Sequence, residues 1–116
     1  LEAALGRVAR GQERVQCLGY SMGAYGALRF AQALRARQVV VVSPQVSIAP
    51  SVAPWERRYR AEGRGFDPDL GDLGRRAVPA LGGLLVFDPF VRADRRHAAA
   101  VAALFPGLRG VRLGHG

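Results

Sequence analysis

The sequence contains no lysine, asparagine or threonine, and it has a single cysteine, Cys17. One cysteine excludes an internal disulfide and a metal site built from several thiolates. Because Cys17 lies within an apolar pattern, we expect it to be a small buried core residue. No apolar run approaches the length of about 20 residues that a membrane-spanning helix needs. We therefore expect no membrane partner.

All 17 basic residues are arginines, against nine acidic residues, and the formal net charge is +8. A charge of this size is compatible with nucleic-acid binding. The arginines are scattered, however, and no basic stripe alternates with aromatic residues. A bias toward GC-rich codons explains the composition more simply, so we expect no nucleic-acid partner.

Neither end of the sequence has the pattern of a natural terminus. The chain starts at Leu1, and its first residues do not have the basic segment followed by an apolar one that is typical of a signal peptide. We interpret residues 1–116 as one domain that forms the C-terminal portion of a larger fold. The sequence does not determine the compartment, and the cytoplasm is the favoured expectation. The oligomeric state is not indicated.

Short apolar strands alternate with helical segments along the chain. Helices are predicted over 1–11, 24–36 and 94–104, and strands over 15–18, 38–42, 84–87 and 111–113. Residues 43–79 hold most of the prolines and are predicted to form a loop or lid-like excursion. The alternation predicts an α/β fold, a parallel sheet of about four strands with helices on both faces in a three-layer α/β/α arrangement.

The segment Gly19-Tyr20-Ser21-Met22-Gly23 links an apolar strand to an alanine-rich helix. This G-x-S-x-G pattern in a strand–turn–helix context places a serine hydroxyl on a strained turn above the sheet. Glycine at 19 and 23 would avoid clashes with the adjacent strand and helix. The Met22 N–H, at the helix N-terminus, would stabilise an oxyanion. The alternatives are a turn in which Ser21 only caps the helix, and a phosphate loop, which lacks its Gly-Lys-Ser/Thr ending.

Residues 15–31 resemble the nucleophile-elbow region of the α/β-hydrolase superfamily. The resemblance implies a serine hydrolase that cleaves an ester or related acyl bond through an acyl-enzyme on Ser21. It implies a small-molecule acyl substrate and no cofactor. It also implies the order serine, acid, histidine along the chain, and a second oxyanion donor from an earlier part of the fold. We therefore expect the chain alone to be inactive or poorly soluble.

The resemblance directs the search for an acid and a base to the ends of later strands. His115 follows the last predicted strand between two glycines and is the candidate general base. Asp88 directly follows the 84–87 strand and is the preferred acid. Asp94 is its rival, although it is better explained as a helix N-cap. His97 is expected to form a surface pair or a capping contact.

Other polar and aromatic residues lie in the excursion. Its aspartates Asp67, Asp69 and Asp72 are interpreted as turn formers, because no His or Glu accompanies them as a metal ligand. Trp55 and Tyr59 are candidates to line a substrate pocket, and a core position for Trp55 is at least as well supported. The alternative function is a non-catalytic binding or scaffold module with the same fold.

Overall fold

The computed structural model describes residues 1–12, 14–63, 65 and 73–114, without the side chains of residues 60 and 61. The described strands are β1 (Gln16–Tyr20), β2 (Gln38–Val42), β3 (Gly82–Phe87) and β4 (Leu108–Arg112). The described α-helices are α1 (Glu2–Ala9), α2 (Met22–Leu34), α3 (Arg60–Gly63) and α4 (Arg92–Leu104), with a 3-10 helix at Leu73–Arg76.

The four strands form one parallel sheet in the order β1-β2-β3-β4. Tyr20 pairs with Val42, which pairs with Val86. The ladder continues one residue further, since the Ser21 N–H donates to the Val42 carbonyl at 2.8 Å and the Ser43 N–H donates to the Val86 carbonyl at 2.7 Å. The predicted α/β class with a parallel sheet is confirmed, and both serines lie at the carboxyl edge of the sheet.

One apolar core joins the sheet to the two long helices. It contains Leu28 of α2, Val41 of β2, Leu85 of β3, Val101 of α4 and Phe105, which directly follows α4. None of these side chains is more than 2% exposed. Because side chains alternate between the two faces of a strand, every second residue of β2 and β3 points to this core. The core therefore fixes α2, which follows Ser21, and α4 relative to the same side of the sheet.

The opposite face of the sheet carries Leu18, Val40 and Leu84 around an open hollow of about 760 Å³. β1 is an edge strand, and its Leu18 and Tyr20 are 79% and 71% exposed. The prediction that this strand is buried is therefore wrong. A helical layer on this second face, which the three-layer arrangement requires, stays a prediction.

Several elements have bounds that differ by a few residues from the sequence prediction, and α2 and β4 are examples. α2 begins two residues earlier than predicted and ends at Arg35, whose left-handed conformation (φ 54°, ψ 39°) closes the helix. β4 begins three residues earlier, at Leu108, because the turn at 106–107 leads directly into the sheet. Neither shift moves the strand ends that carry the candidate residues.

The first part of the excursion packs into the body of the protein. Residues 44–47 are all buried, although they form neither helix nor strand. The predicted loop is confirmed here, but 44–47 is an internal loop and not an exposed lid. None of the helices within the described ranges is long and apolar enough to cross a membrane.

Two phenylalanines separate the contribution of the core from that of the surface. Phe105→Ala removes a fully buried ring and is expected to lower the free energy of unfolding by about 3–5 kcal/mol. Phe90→Ala removes a ring that is 75% exposed and is expected to change it by less than about 0.5 kcal/mol. Urea denaturation of both variants measures the difference, and equal losses would contradict the described core.

Candidate active site

The turn between β1 and α2 holds Ser21 in an unusual backbone conformation. Its φ of 53° and ψ of −114° lie outside the left-handed helical region that Arg35 occupies. Such a conformation costs about 1–3 kcal/mol and persists only where the surroundings over-determine it. Here the Ser21 N–H is bound to the Val42 carbonyl, and the Ser21 carbonyl accepts the Tyr25 N–H at 3.1 Å. The strained geometry predicted for the nucleophile turn is present.

The Ser21 hydroxyl does not cap the helix that it precedes. Ser21 is the N-cap residue of α2, yet its side chain makes no capping hydrogen bond, and it has no partner among the described residues. The side-chain oxygen of a serine at this position usually accepts a hydrogen bond from a free N–H of the first turn. The interpretation of Ser21 as a simple helix cap is therefore wrong. The hydroxyl is left available at the N-terminus of a 13-residue helix.

Only one of the two motif glycines is required by close packing. A Cβ at Gly19 would overlap the backbone of Gly23 and lie 2.6 Å from the Ala24 nitrogen. A Cβ at Gly23 would meet no described atom within 4 Å, so the prediction that glycine at 23 avoids a clash is wrong within the described residues. Gly19 therefore allows helix α2 to start directly against the end of β1.

A small apolar hollow lies beside the turn. Met22 and Tyr25 of the first turn of α2 form one side, and Gln45 and Ile48 of the buried loop form the other. Its volume is about 230 Å³. Gln45 is 2% exposed, and its Nε2 atom has no hydrogen-bond partner among the described residues. An apolar hollow with one unpaired donor in its wall thus adjoins Ser21.

Asp88 lies where the sequence predicted it, directly after β3 at the carboxyl edge of the sheet. It is partly exposed, and its Oδ1 accepts the Phe90 N–H at 2.9 Å. This bond shapes the turn into α4. The side chain lies two strands away from β1, which corresponds to a lateral distance of about 10 Å.

Asp94 has a different role from the predicted helix cap. The N-cap of α4 is Val91, so Asp94 belongs to the first helical turn, and the prediction that it is the N-cap is wrong. Its side chain is 12% exposed and pairs with Arg58, with Nη2 and Oδ1 3.1 Å apart. A carboxylate in the first turn also interacts favourably with the helix dipole. Asp94 is thereby committed to a structural ion pair.

His97 is fully buried, and the prediction of a surface pair or capping contact is wrong. Its Nδ1 accepts the Val46 N–H at 3.1 Å, and its Nε2 lies 2.9 Å from Glu56 Oε2. The ring of Trp55 packs edge-on against it at a centroid distance of 5.3 Å, so Trp55 is a structural residue here. Both ring nitrogens are occupied, and His97 is not available as a general base.

The hydrogen bonds of His97 define its protonation state. An Nδ1 that accepts a backbone N–H carries no proton, so the proton is on Nε2 and is donated to the Glu56 carboxylate. A second ring proton would point at the Val46 N–H. Burial also disfavours the charged ring and lowers the pKa of His97, although Glu56 opposes this effect.

Glu56 is the buried carboxylate that sequence reasoning missed. Its side chain is 0% exposed, and it accepts two hydrogen bonds from the Arg58 guanidinium at 2.9 and 2.7 Å. The bonds from Arg58, together with that from His97, lower the pKa of Glu56 to about 2. A signal was present, since Glu56 is the first charged residue after Arg37 and ends a long uncharged stretch.

Several predicted residues lie outside the described part of the chain. These are the candidate base His115 and the aspartates Asp67, Asp69 and Asp72. Within the described residues, no group of three or more His, Cys, Asp or Glu side chains is placed to hold a metal ion. Cys17 is partly buried and packs against the core, and burial raises the pKa of its thiol, which disfavours a nucleophilic thiolate.

No family model matches the chain, and no curated protein matches it significantly. The candidate site must therefore be argued from its own geometry. That geometry brings Ser21, the first-turn N–H groups of α2 and the hollow together at the carboxyl edge. Asp88 lies at the same edge.

The two motif glycines are expected to respond differently to substitution. Gly19→Ala forces a Cβ into the backbone of the following turn and should lower the free energy of unfolding by about 3 kcal/mol or more. Gly23→Ala meets open space in a helix and should leave stability unchanged or raise it by up to about 1 kcal/mol. Thermal melts of the pair test this, and a Gly19→Ala variant as stable as the parent would refute the described turn.

The buried carboxylate and histidine should make the protein less stable in acid. Folding lowers the pKa of His97 below its ordinary value of 6.5, so below pH 6.5 the unfolded chain binds more protons at this residue than the folded chain does. The contribution of His97 to the free energy of unfolding therefore decreases as the pH falls below 6.5. The contribution of Glu56 is complete above pH 4.5 and is lost as the pH falls from 4.5 to about 2. Arg58 is 47% exposed, so solvent screens its interaction with Glu56. We therefore expect protonation of Glu56 to lower the free energy of unfolding by about 1–3 kcal/mol.

Urea denaturation between pH 7 and pH 2.5 measures this dependence. Glu56→Gln should be destabilised by about 3–5 kcal/mol at pH 7 and should lose the slope below pH 4.5. The matched control is Glu62→Gln, which removes an exposed carboxylate nearby and should keep the parental slope. A Glu56→Gln variant with the parental pH dependence would show that Glu56 is not the group responsible.

Proposed function

We propose that the protein is a serine hydrolase of the α/β-hydrolase type that cleaves an ester or related acyl bond of a small molecule. The main support for the proposal is the conformation of Ser21 and the absence of a capping bond from its hydroxyl. Its backbone is strained, its hydroxyl is not used as a helix cap, and it stands at the N-terminus of a long helix. A structural turn has no need of this combination, whereas a nucleophile does.

The reaction needs only Ser21, an acid–base pair and water. Ser21 Oγ attacks the acyl carbon as its proton passes to the base, and a tetrahedral oxyanion forms. The bond to the leaving group then breaks, and the base returns the proton to the leaving oxygen. Water adds to the acyl-enzyme in the same way, so that the acid product leaves and Ser21 recovers its proton.

The N-terminus of α2 supports the step in which negative charge develops. The first N–H groups of a helix have no intrahelical acceptor, and the helix dipole adds positive potential there. The Met22 N–H follows Ser21 directly and is the first oxyanion donor in this proposal. Donors that are fixed before the reaction stabilise the transition state without a cost of reorganisation.

The surroundings of the two candidate acids favour Asp88 over Asp94. Asp88 stands at the carboxyl edge of the sheet directly after β3, and its Oδ1 accepts the Phe90 N–H. Asp94 is largely buried in a pair with Arg58. In this proposal Asp88 orients the base and stabilises its protonated form.

The proposed base is His115. The Leu113 N–H donates to the Phe87 carbonyl at 2.9 Å, which brings the chain after β4 to the carboxyl edge one residue before Gly114. Because β4 lies three strands from β1, a base that follows it has to reach back about 14 Å across the edge toward Ser21. Asp88 lies on the way.

Labelling with an alkyl fluorophosphonate tests the proposal on the full-length gene product. Intact mass spectrometry should show one adduct at pH 8, because an activated serine displaces fluoride from phosphorus. The Ser21→Ala variant should show none, and its esterase activity should fall by about 10⁴-fold or more. Circular dichroism of both proteins controls for folding.

The two candidate acids provide the matched control. Asp88→Asn should lower kcat/KM by about 10⁴-fold through loss of the correct histidine tautomer. Asp94→Asn should change kcat/KM by less than about tenfold, because that carboxylate serves the Arg58 pair. A folded protein without a Ser21-dependent adduct would exclude the hydrolase and leave the non-catalytic binding module as the function.

A further inference from the structure

The hollow beside Ser21 has features of a binding site and not of a packing defect. Among the described residues, two elements line it, with Met22 and Tyr25 from α2 and Gln45 and Ile48 from the buried loop. Met22 is adjacent to Ser21 in the chain, and Tyr25 donates its backbone N–H to the Ser21 carbonyl. The hollow therefore adjoins the turn that carries Ser21.

The size of the hollow limits what it can hold. A cavity of about 150 Å³ accommodates benzene, which has six non-hydrogen atoms. At the same density the volume of about 230 Å³ corresponds to about nine non-hydrogen atoms. This excludes a long fatty-acyl chain as a fully bound group, whereas an acetyl group would leave most of the hollow empty.

The wall of the hollow contains one unsatisfied polar group. Gln45 is 2% exposed, and its Nε2 has no partner among the described residues and is shielded from solvent. A buried donor without an acceptor is unfavourable, and natural proteins keep such groups mainly where a ligand or water completes them. The terminal torsion of glutamine is soft, so the amide can turn toward the hollow at little cost.

The loop that carries Gln45 is held rigidly. His97 accepts the N–H of Val46, the next residue, and the adjoining Pro44 and Ser47 are buried. A polar side chain on a rigid element discriminates between ligands better than one on a mobile loop. The backbone that carries the unsatisfied amide is therefore held in place, and only the side chain has to turn.

We propose that this hollow binds the acyl group of the substrate, and that the preferred acyl group is of medium length and carries one oxygen that accepts a hydrogen bond from Gln45. The proposal rests on the serine hydrolase function proposed above and specifies its substrate class. Ile48 limits the length of the acyl group, and Gln45 recognises its oxygen. An ether, a ketone or a hydroxyl oxygen would meet this requirement.

A series of p-nitrophenyl esters tests the size limit on the full-length gene product. From acetyl to octanoyl, kcat/KM should rise by up to about fourfold per methylene group, and it should fall for dodecanoyl. Ile48→Phe fills the hollow and should lower the ratio of kcat/KM for octanoyl to kcat/KM for acetyl at least about tenfold. Val52→Phe, which enlarges an exposed side chain of the same loop, should leave the profile unchanged.

Matched ester pairs test the role of Gln45. In each pair one acyl methylene is replaced by an ether oxygen, at successive positions along the chain. For at least one position the parent should prefer the ether ester over its methylene counterpart, by about tenfold or more. Gln45→Leu keeps the volume, removes the donor, and should reverse that preference.

The outcomes separate this proposal from the one on which it rests. Ser21-dependent labelling with a flat chain-length profile, or with a profile that Ile48→Phe does not change, would overturn the acyl-binding hollow alone. A chain-length effect without any ether preference that depends on Gln45 would overturn the assigned role of that residue. Absence of Ser21-dependent labelling would overturn both proposals together.

Discussion

One buried imidazole ring organises the irregular part of the chain. His97 on α4 accepts the Val46 N–H and donates to Glu56, so it binds both ends of the segment 46–56. A buried loop cannot satisfy its polar groups through water, and it needs specific internal partners. The ring supplies two of them, and Arg58 supplies the counter-charge that keeps the Glu56 carboxylate ionised at a fully buried site. Removing any one of the three leaves an uncompensated group in the interior.

The turn at Ser21 depends on a different set of forces. Its strained backbone is held by hydrogen bonds to Val42 and Tyr25 and by the close approach that Gly19 allows. These are contacts within one strand–turn–helix unit and its neighbouring strand, and the apolar core behind α2 supports them. The free energy stored in the turn is small compared with that of the core, so the fold can maintain it.

The difference between local and distant contacts explains what the sequence could predict. The strand–turn–helix unit around Ser21 is encoded in adjacent residues, and its strained serine and the parallel strand that follows are confirmed. His97 and Glu56 are 41 positions apart, and no periodicity links them. Asp94 illustrates the same limit, since a local rule favoured a helix cap, whereas the helix starts earlier and Asp94 pairs with Arg58. Burial of β1 was mispredicted because composition does not reveal which strand forms an edge.

The candidate site lies between the Ser21 turn and the loop that His97 holds, and it takes residues from both. Ser21 and Met22 come from the locally encoded turn, whereas Gln45 and Ile48 come from the loop that the distant His97 contacts hold. A nucleophile requires a reproducible local geometry, and a short turn against a sheet provides it. A recognition surface requires shape and a few placed polar groups, and an irregular buried loop can vary these without disturbing the sheet. The arrangement therefore allows the specificity of the hollow to change while the serine keeps its geometry.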